Sequence, residues 1–425
     1  MGLNFAAMSA KDFPAPHPSP NVSVGTRTGS PTWSSGWVMF LSFAGLSATQ
    51  FHGYLFEGKG FGPLQIGVLL GAGYAAGLVA PAAQVRAIRV LRGPRLPLAL
   101  VLAGAGAAIA LLPWVQGFAP VLALFFAALF CSAGIHPLTA ACALEATRDR
   151  GHGVYFLIRS LGTAGFLAGC VGSYFQPGAD KLAWLYLGFG LAFWATIPLV
   201  LTRFRPGDPR QAPEDALVAK HPRRTPGFRR ALYLLSAPRA KRLLATLGVM
   251  NFANAMATLV QGNYIVSRFH QGQASISLAW IVSTAFEIPL MFLCAWLVGA
   301  RGLRTVIGIG LIGTTVKLVF LGAADGYGMY LVGLIFHGCL FSGALVGFNL
   351  FVDKSFAVAD RPSLQSLGAF FYTGIPNAAG GLTAGLLWHF FGLRSVYVVA
   401  AAIGIGAGLY TLRLLPMLPG RRENP

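Results

Sequence analysis

Apolar stretches of about 20 residues recur twelve times along this 425-residue chain, and no other feature limits its fold as tightly. A backbone crossing hydrocarbon must satisfy its own hydrogen bonds, so each stretch is read as a membrane-spanning helix. Hydropathy predicts spans at 34–55, 64–84, 96–114, 119–144, 153–175, 182–202, 242–266, 275–298, 303–323, 328–351, 364–391 and 394–415. Composition agrees, with 55% hydrophobic and 11% charged residues, against about 25% charged in an ordinary soluble domain. One or two soluble cores would leave much of that apolar surface in water. A soluble enzyme and a secreted disulfide scaffold are both excluded. The five cysteines fall inside apolar stretches without CxxC spacing and read as small buried hydrophobes.

The expected fold class is therefore all-α integral membrane, with twelve transmembrane helices in two six-helix bundles. One long basic loop, 203–241, separates a bundle over 33–202 from a second over 242–415. Residues 1–32 carry Pro14, Pro16, Pro18 and Pro20 and read as a disordered tail, and 416–425 form a short second tail.

The net charge of +19 follows topology. Of the 32 basic residues, 26 fall on the side of the two termini, four on the other and two, Arg159 and Lys317, inside spans. Leaving out the long loop still gives 15 against four. Positive residues stay cytoplasmic, so both termini are expected in the cytoplasm of a multi-pass protein of the cell (inner) membrane. The basic residues are not gathered on one domain or interleaved with aromatics, which argues against a nucleic-acid partner.

Two six-helix bundles predict alternating access, in which the halves rock around a site at mid-membrane. A faint internal repeat supports the two halves: Arg159-Ser160-Leu161-Gly162 in span 5 against Gln365-Ser366-Leu367-Gly368 in span 11. Gly308-Ile309-Gly310-Leu311-Ile312-Gly313 fits a dinucleotide-binding pattern, but it lies within an apolar span with no strand before it.

Ionisable groups deep in a span cost several kcal/mol and are functional candidates by default. Four stand out: Arg159, Glu287, Lys317 and His337. Glu287 lies near the bilayer centre in span 8, placed either to exchange protons or to pair with a buried cation. Arg159, in the other half, has a planar fork suited to a carboxylate, hydroxyls or a base edge, or to an inter-helix ion pair. Lys317 is as well placed to snorkel as to act, and His337 suits a proton relay or ordinary packing. Asn254, Gln261, Asn263, Thr284, Asn349, Thr163, Phe166, Tyr264 and Phe341 are candidate contacts for a polar, ring-bearing solute. No hydrolase triad, metal cluster, Walker sequence or nucleotide-binding domain appears, so no enzyme activity and no cofactor are expected and an ion gradient would supply the driving force.

Three segments carry a family resemblance. Ile158-Arg159-Ser160-Leu161-Gly162-Thr163-Ala164-Gly165-Phe166 resembles the span 5 signature of the proton-linked permeases around the nucleoside:proton symporters, the phenylpropionate permease and lactose permease. Glu287 followed by Gly302-Leu303-Arg304 and Lys317 is similar to that group's span 8 acid and span 9 base. The stretch from His337-Gly338-Cys339 through Asp353-Lys354 and Arg361 to Gln365 resembles its spans 10 and 11. The resemblance implies a major facilitator fold. It also implies substrate or proton roles for Arg159, Thr163, Phe166 and Glu287, with His337 matching a span 10 histidine. Departures are equally specific. Leu161 replaces the signature tryptophan, Met256 and Leu259 stand where nucleoside permeases place a polar pair, and Thr284 and Ser342 replace a glutamine and an acid.

The expectation is a proton symporter that imports a small polar organic solute such as a nucleoside, sugar or aromatic acid. Arg159, Thr163, Phe166, Gln261, Asn263, Thr284 and Phe341 would hold the solute. Glu287, His337 and Lys317 would couple protons. The expected partners are the solute, protons and membrane lipid, and the expected state is a monomer. A proton-antiport exporter and a non-transporting receptor or assembly factor are the rival readings.

Overall fold

The computed structural model describes residues 31–91, 95–147, 152–176, 178, 181–203, 228–356 and 361–418, and within them there is no strand. Helices α1 (Pro31–Leu46, continued by a tighter 3-10 turn into His52–Gly58), α2 (Pro63–Val90), α3 (Arg95–Leu111), α4 (Phe118–Thr147), α5 (His152–Tyr174) and α6 (Leu182–Arg203) form the first half. Helices α7 (Pro238–Leu259 and Gln261–Phe269), α8 (Gln273–Arg301), α9 (Leu303–Ala323) and α10 (Tyr327–Leu334 through Val346–Ser355) begin the second. Helices α11 (Arg361–Ala369 through Ile375–Phe391) and α12 (Leu393–Leu414) complete it. Seven of the described helices are long and apolar enough to cross a membrane, and α7 is an eighth if its two pieces, bent by 51°, count as one span. Of the tail expected at 1–32, residues 1–30 lie outside the described residues, as do most of the long loop (204–227) and the last seven residues, while residues 31 and 32 are not a tail but open helix α1.

At most ends where hydropathy and helix differ, the helix outruns the apolar stretch; α3 is an exception, stopping at Leu111 within the span expected to 114. α2 continues through Arg86 and Arg89 to Val90, because a helix needs no hydrocarbon around it once its ladder of bonds is started. Four rods are interrupted. α10 is π-helical over Cys339–Leu345 and α11 over Phe370–Gly374, single wide turns of the kind that gather at functional sites. In α11 Pro376 has no N–H to give the carbonyl four residues back, Tyr372. Asn251 on α7 donates its Nδ2 to that oxygen at 2.8 Å.

The two halves meet along α2 with α11 and α5 with α8. Several of these contacts lie toward the side of the protein opposite the termini. There α2 and α11 touch backbone to backbone, and a Cβ on Gly67 would fall 2.6 Å from Gly385 Cα. Ser173 and Ser277 share a hydrogen bond of 3.0 Å between α5 and α8. Asn263 of α7 donates to Gly53 O at 3.0 Å and to Glu57 Oε2 at 2.6 Å on α1.

Candidate functional site

Glu287 is the fifteenth of the 29 residues of α8, at mid-depth, two residues before Pro289. Thr163 Oγ1, one turn beyond Arg159 on α5, donates to Glu287 Oε1 at 3.4 Å, so the carboxylate is held from the other half of the molecule. Its backbone is pressed against α10: a Cβ on Gly338 would lie 2.8 Å from Glu287 Cα.

Arg159 is buried, with its guanidinium between two rings. The centre of Phe43 on α1 is 4.8 Å away, and that of Phe341, in the π turn of α10, is 4.9 Å away. Cation–π contacts of this kind gain strength when water is excluded. Nη2 lies 3.1 Å from His136 Nε2 on α4. Arginine has only donors, so His136 must accept at Nε2 and carry its proton on Nδ1.

A second cluster lies in the other half. Lys317 on α9 is fully buried, with Nζ 2.8 Å from Asn254 Oδ1, 3.5 Å from Thr258 Oγ1 and 2.9 Å from His337 Nδ1. It does not snorkel, because three polar atoms at mid-depth take the place of water around the ammonium. The His337 ring packs edge-on against Trp280 at 5.3 Å, and Trp280 against Phe166 at 5.6 Å. An aromatic wall thus runs from α10 across α8 to α5. Trp280 Nε1 is buried without a protein acceptor, leaving a donor for a guest.

Arg159, Thr163, Glu287 and Phe341 therefore form one group, and Lys317 and His337 a second, joined to it through Trp280 and Phe166. Thr284 is buried one turn before Glu287 on α8. Gln261 and Asn263 do not join them. Gln261 is buried next to the break in α7, and Asn263 is bound to Gly53 and Glu57 at the side away from the termini. The reason is the 51° bend after Leu259, which carries the second piece of α7 toward α1. Tyr264 is likewise away from the site, stacked on Tyr397 at 3.8 Å inside its own half.

Three participants are absent from the sequence-based set: His136, Phe43 and Trp280. His136 carries the same signal as the others, an imidazole inside an apolar run. Phe43 and Trp280 carry none, since an aromatic residue in an apolar helix has the same appearance whether it faces lipid, core or cavity.

Comparison with known structures gives the same fold throughout. The nucleoside transporter NupG superposes with a TM-score of 0.73 at 15% identity, covering 91% of this chain and 99% of that one; its D323A mutant gives 0.75 at 14%, covering 91% and 100%. The inward-open xylose transporter XylE from E. coli gives 0.68 at 12% identity, covering 92% and 97%. No curated protein matches the sequence. Residues 32–399 match the model of the MFS_1 like family, and the chain belongs to that family of membrane transporters, which are not enzymes.

Proposed function

We propose that this protein is a secondary active transporter that takes up a small polar organic solute together with protons, by alternating access, as a monomer in the cell membrane with both termini in the cytoplasm. The observation that carries the reading is the Glu287 carboxylate, at mid-depth in one half and hydrogen-bonded by Thr163 of the other. A group that touches both halves reports on their closure. Protonation removes its charge, and with it the penalty of enclosing an ion in a dry seam. Arg159, Thr163, Phe166, Thr284 and Phe341 contact the solute, with Trp280 as a further donor. Lys317 and His337 tune the charge balance around Glu287. Gln261 and Asn263 serve the solute indirectly, through closure of the side away from the termini.

The similarity to a protein described as a nucleoside transporter and another as a D-xylose-proton symporter supports a polar solute of that size. The test is uptake into proteoliposomes under an imposed pH gradient, with nucleosides, sugars and aromatic acids in turn. Solute-dependent proton entry is expected, with loss of uphill accumulation in Glu287→Gln and retention of exchange. Accumulation that runs against the proton flow would identify an exporter. Uphill uptake undiminished in Glu287→Gln would remove that residue from the mechanism.

A further inference from the structure

Away from the mid-depth site, the surface of α7 carries a second feature. Lys241, Ala245 and Val249 follow one another at four-residue intervals and are all exposed, a stripe about 12 Å long. It begins at the end of α7 nearest the termini and covers most of one leaflet, which is about 15 Å deep. A groove runs along each side of it. One, of 640 Å³, is bounded by Gly406, Ala407 and Tyr410 of α12. The other, of 550 Å³, is bounded by Phe371 and Pro376 of α11 and closed at its head by Leu232 of the short helix Phe228–Leu235. Small residues floor both grooves, so flexible apolar chains can lie against the backbone.

The heads of the grooves are charged. Lys241 lines both, and Arg242 lines the first. Arg239 is exposed one turn before Arg242. No described Asp or Glu lines either groove, and neither Lys241 nor Arg242 makes an ion pair with a described residue; among the described residues the guanidinium of Arg242 reaches the Met417 sulfur, at 2.9 Å. Elsewhere on the surface cations do find partners, as where Arg394 meets Asp325 at 3.1 Å. A pair of exposed apolar channels, each one leaflet deep and headed by cations that pair with no described acid, matches one kind of molecule in shape and charge.

We infer that α7 carries a binding site for an anionic phospholipid of the leaflet on the side of the termini. Its phosphate sits on Lys241 and Arg242, and its two acyl chains straddle the Lys241–Val249 stripe. The charge distribution selects against zwitterionic lipid, whose ammonium group would face the same two cations. A second copy of the chain is disfavoured as the occupant, because it would bring its own Lys241 and Arg242 toward these.

The test needs no transport substrate, so its outcome is independent of the proposed transport function. The full-length protein is purified in detergent and incubated with phosphatidylglycerol or phosphatidylcholine of identical chains, and retained lipid is counted by native mass spectrometry. Preferential retention of one phosphatidylglycerol is expected. Retention should fall about twenty-fivefold in the doubly substituted Lys241→Gln/Arg242→Gln protein, at about fivefold per basic residue. Lys241→Arg, which keeps the charge, should retain it. Ala245→Trp, which fills the grooves without altering charge, should abolish it. Arg301→Gln/Arg304→Gln removes the same charge on the same side away from the grooves and should leave retention unchanged. Equal retention of the two lipids, equal loss in the Arg301/Arg304 control, or a dimer in place of a lipid-bound monomer would each overturn the inference.

Discussion

At the scale of single residues, the site depends on where two backbones approach. Gly338 is the clearest case, since any side chain there would meet Glu287 Cα at 2.8 Å. Gly338→Ala should force α10 from α8 and cost about 1–3 kcal/mol, read as a lowered melting temperature in detergent. Arg159→Lys keeps the charge but loses the planar group that Phe43 and Phe341 enclose. It should weaken solute binding at least tenfold in a thermal-shift titration, and full affinity would show that only the charge matters. Arg159, Glu287, Lys317 and His337 were legible in the sequence because each is an ionisable group where hydrocarbon is expected. Phe43 and Trp280 were not, because their roles come from neighbours supplied by other helices.

At the scale of elements, the breaks matter more than the helices. The apolar stretches at 242–266, 328–351 and 364–391 announce that helices cross there, yet hydropathy is blind to the bend in α7 and to the π turns of α10 and α11. Such breaks arise from tertiary demands. The proline-orphaned carbonyl of Tyr372 is met by Asn251, and Asn251→Ala would leave it bare in a dry interior. That substitution should cost about 1–3 kcal/mol and lower the melting temperature. The bend in α7 has its own consequence, since it delivers Asn263 to Glu57 and Gly53. Asn263→Ala removes one of the contacts that span the two halves there. Cysteines placed on the side opposite the termini should then react with a membrane-impermeant maleimide several times faster, and unchanged labelling would mean that α2 with α11 and α5 with α8 seal that side without it.

At the scale of the whole molecule, the sequence shows two halves through the twelve apolar stretches and the long basic loop, and the fold agrees with NupG and XylE over nine-tenths of the chain despite 12–15% identity. Their relative placement was not legible, because the closest approach in the seam between α2 and α11, Gly67 on Gly385, is made by residues with no side chain. Gly67→Leu should wedge these helices apart and shift the population toward opening on that side, seen as increased maleimide labelling there. The bareness of the seam has a further consequence. Ordinary protein contacts freeze rotamers when they form, and each frozen side chain must be released before the surfaces separate. Where Gly67 meets Gly385 there are no rotamers to freeze, so this part of the seam can be unmade and remade at every turnover without any side chain having to find its place again.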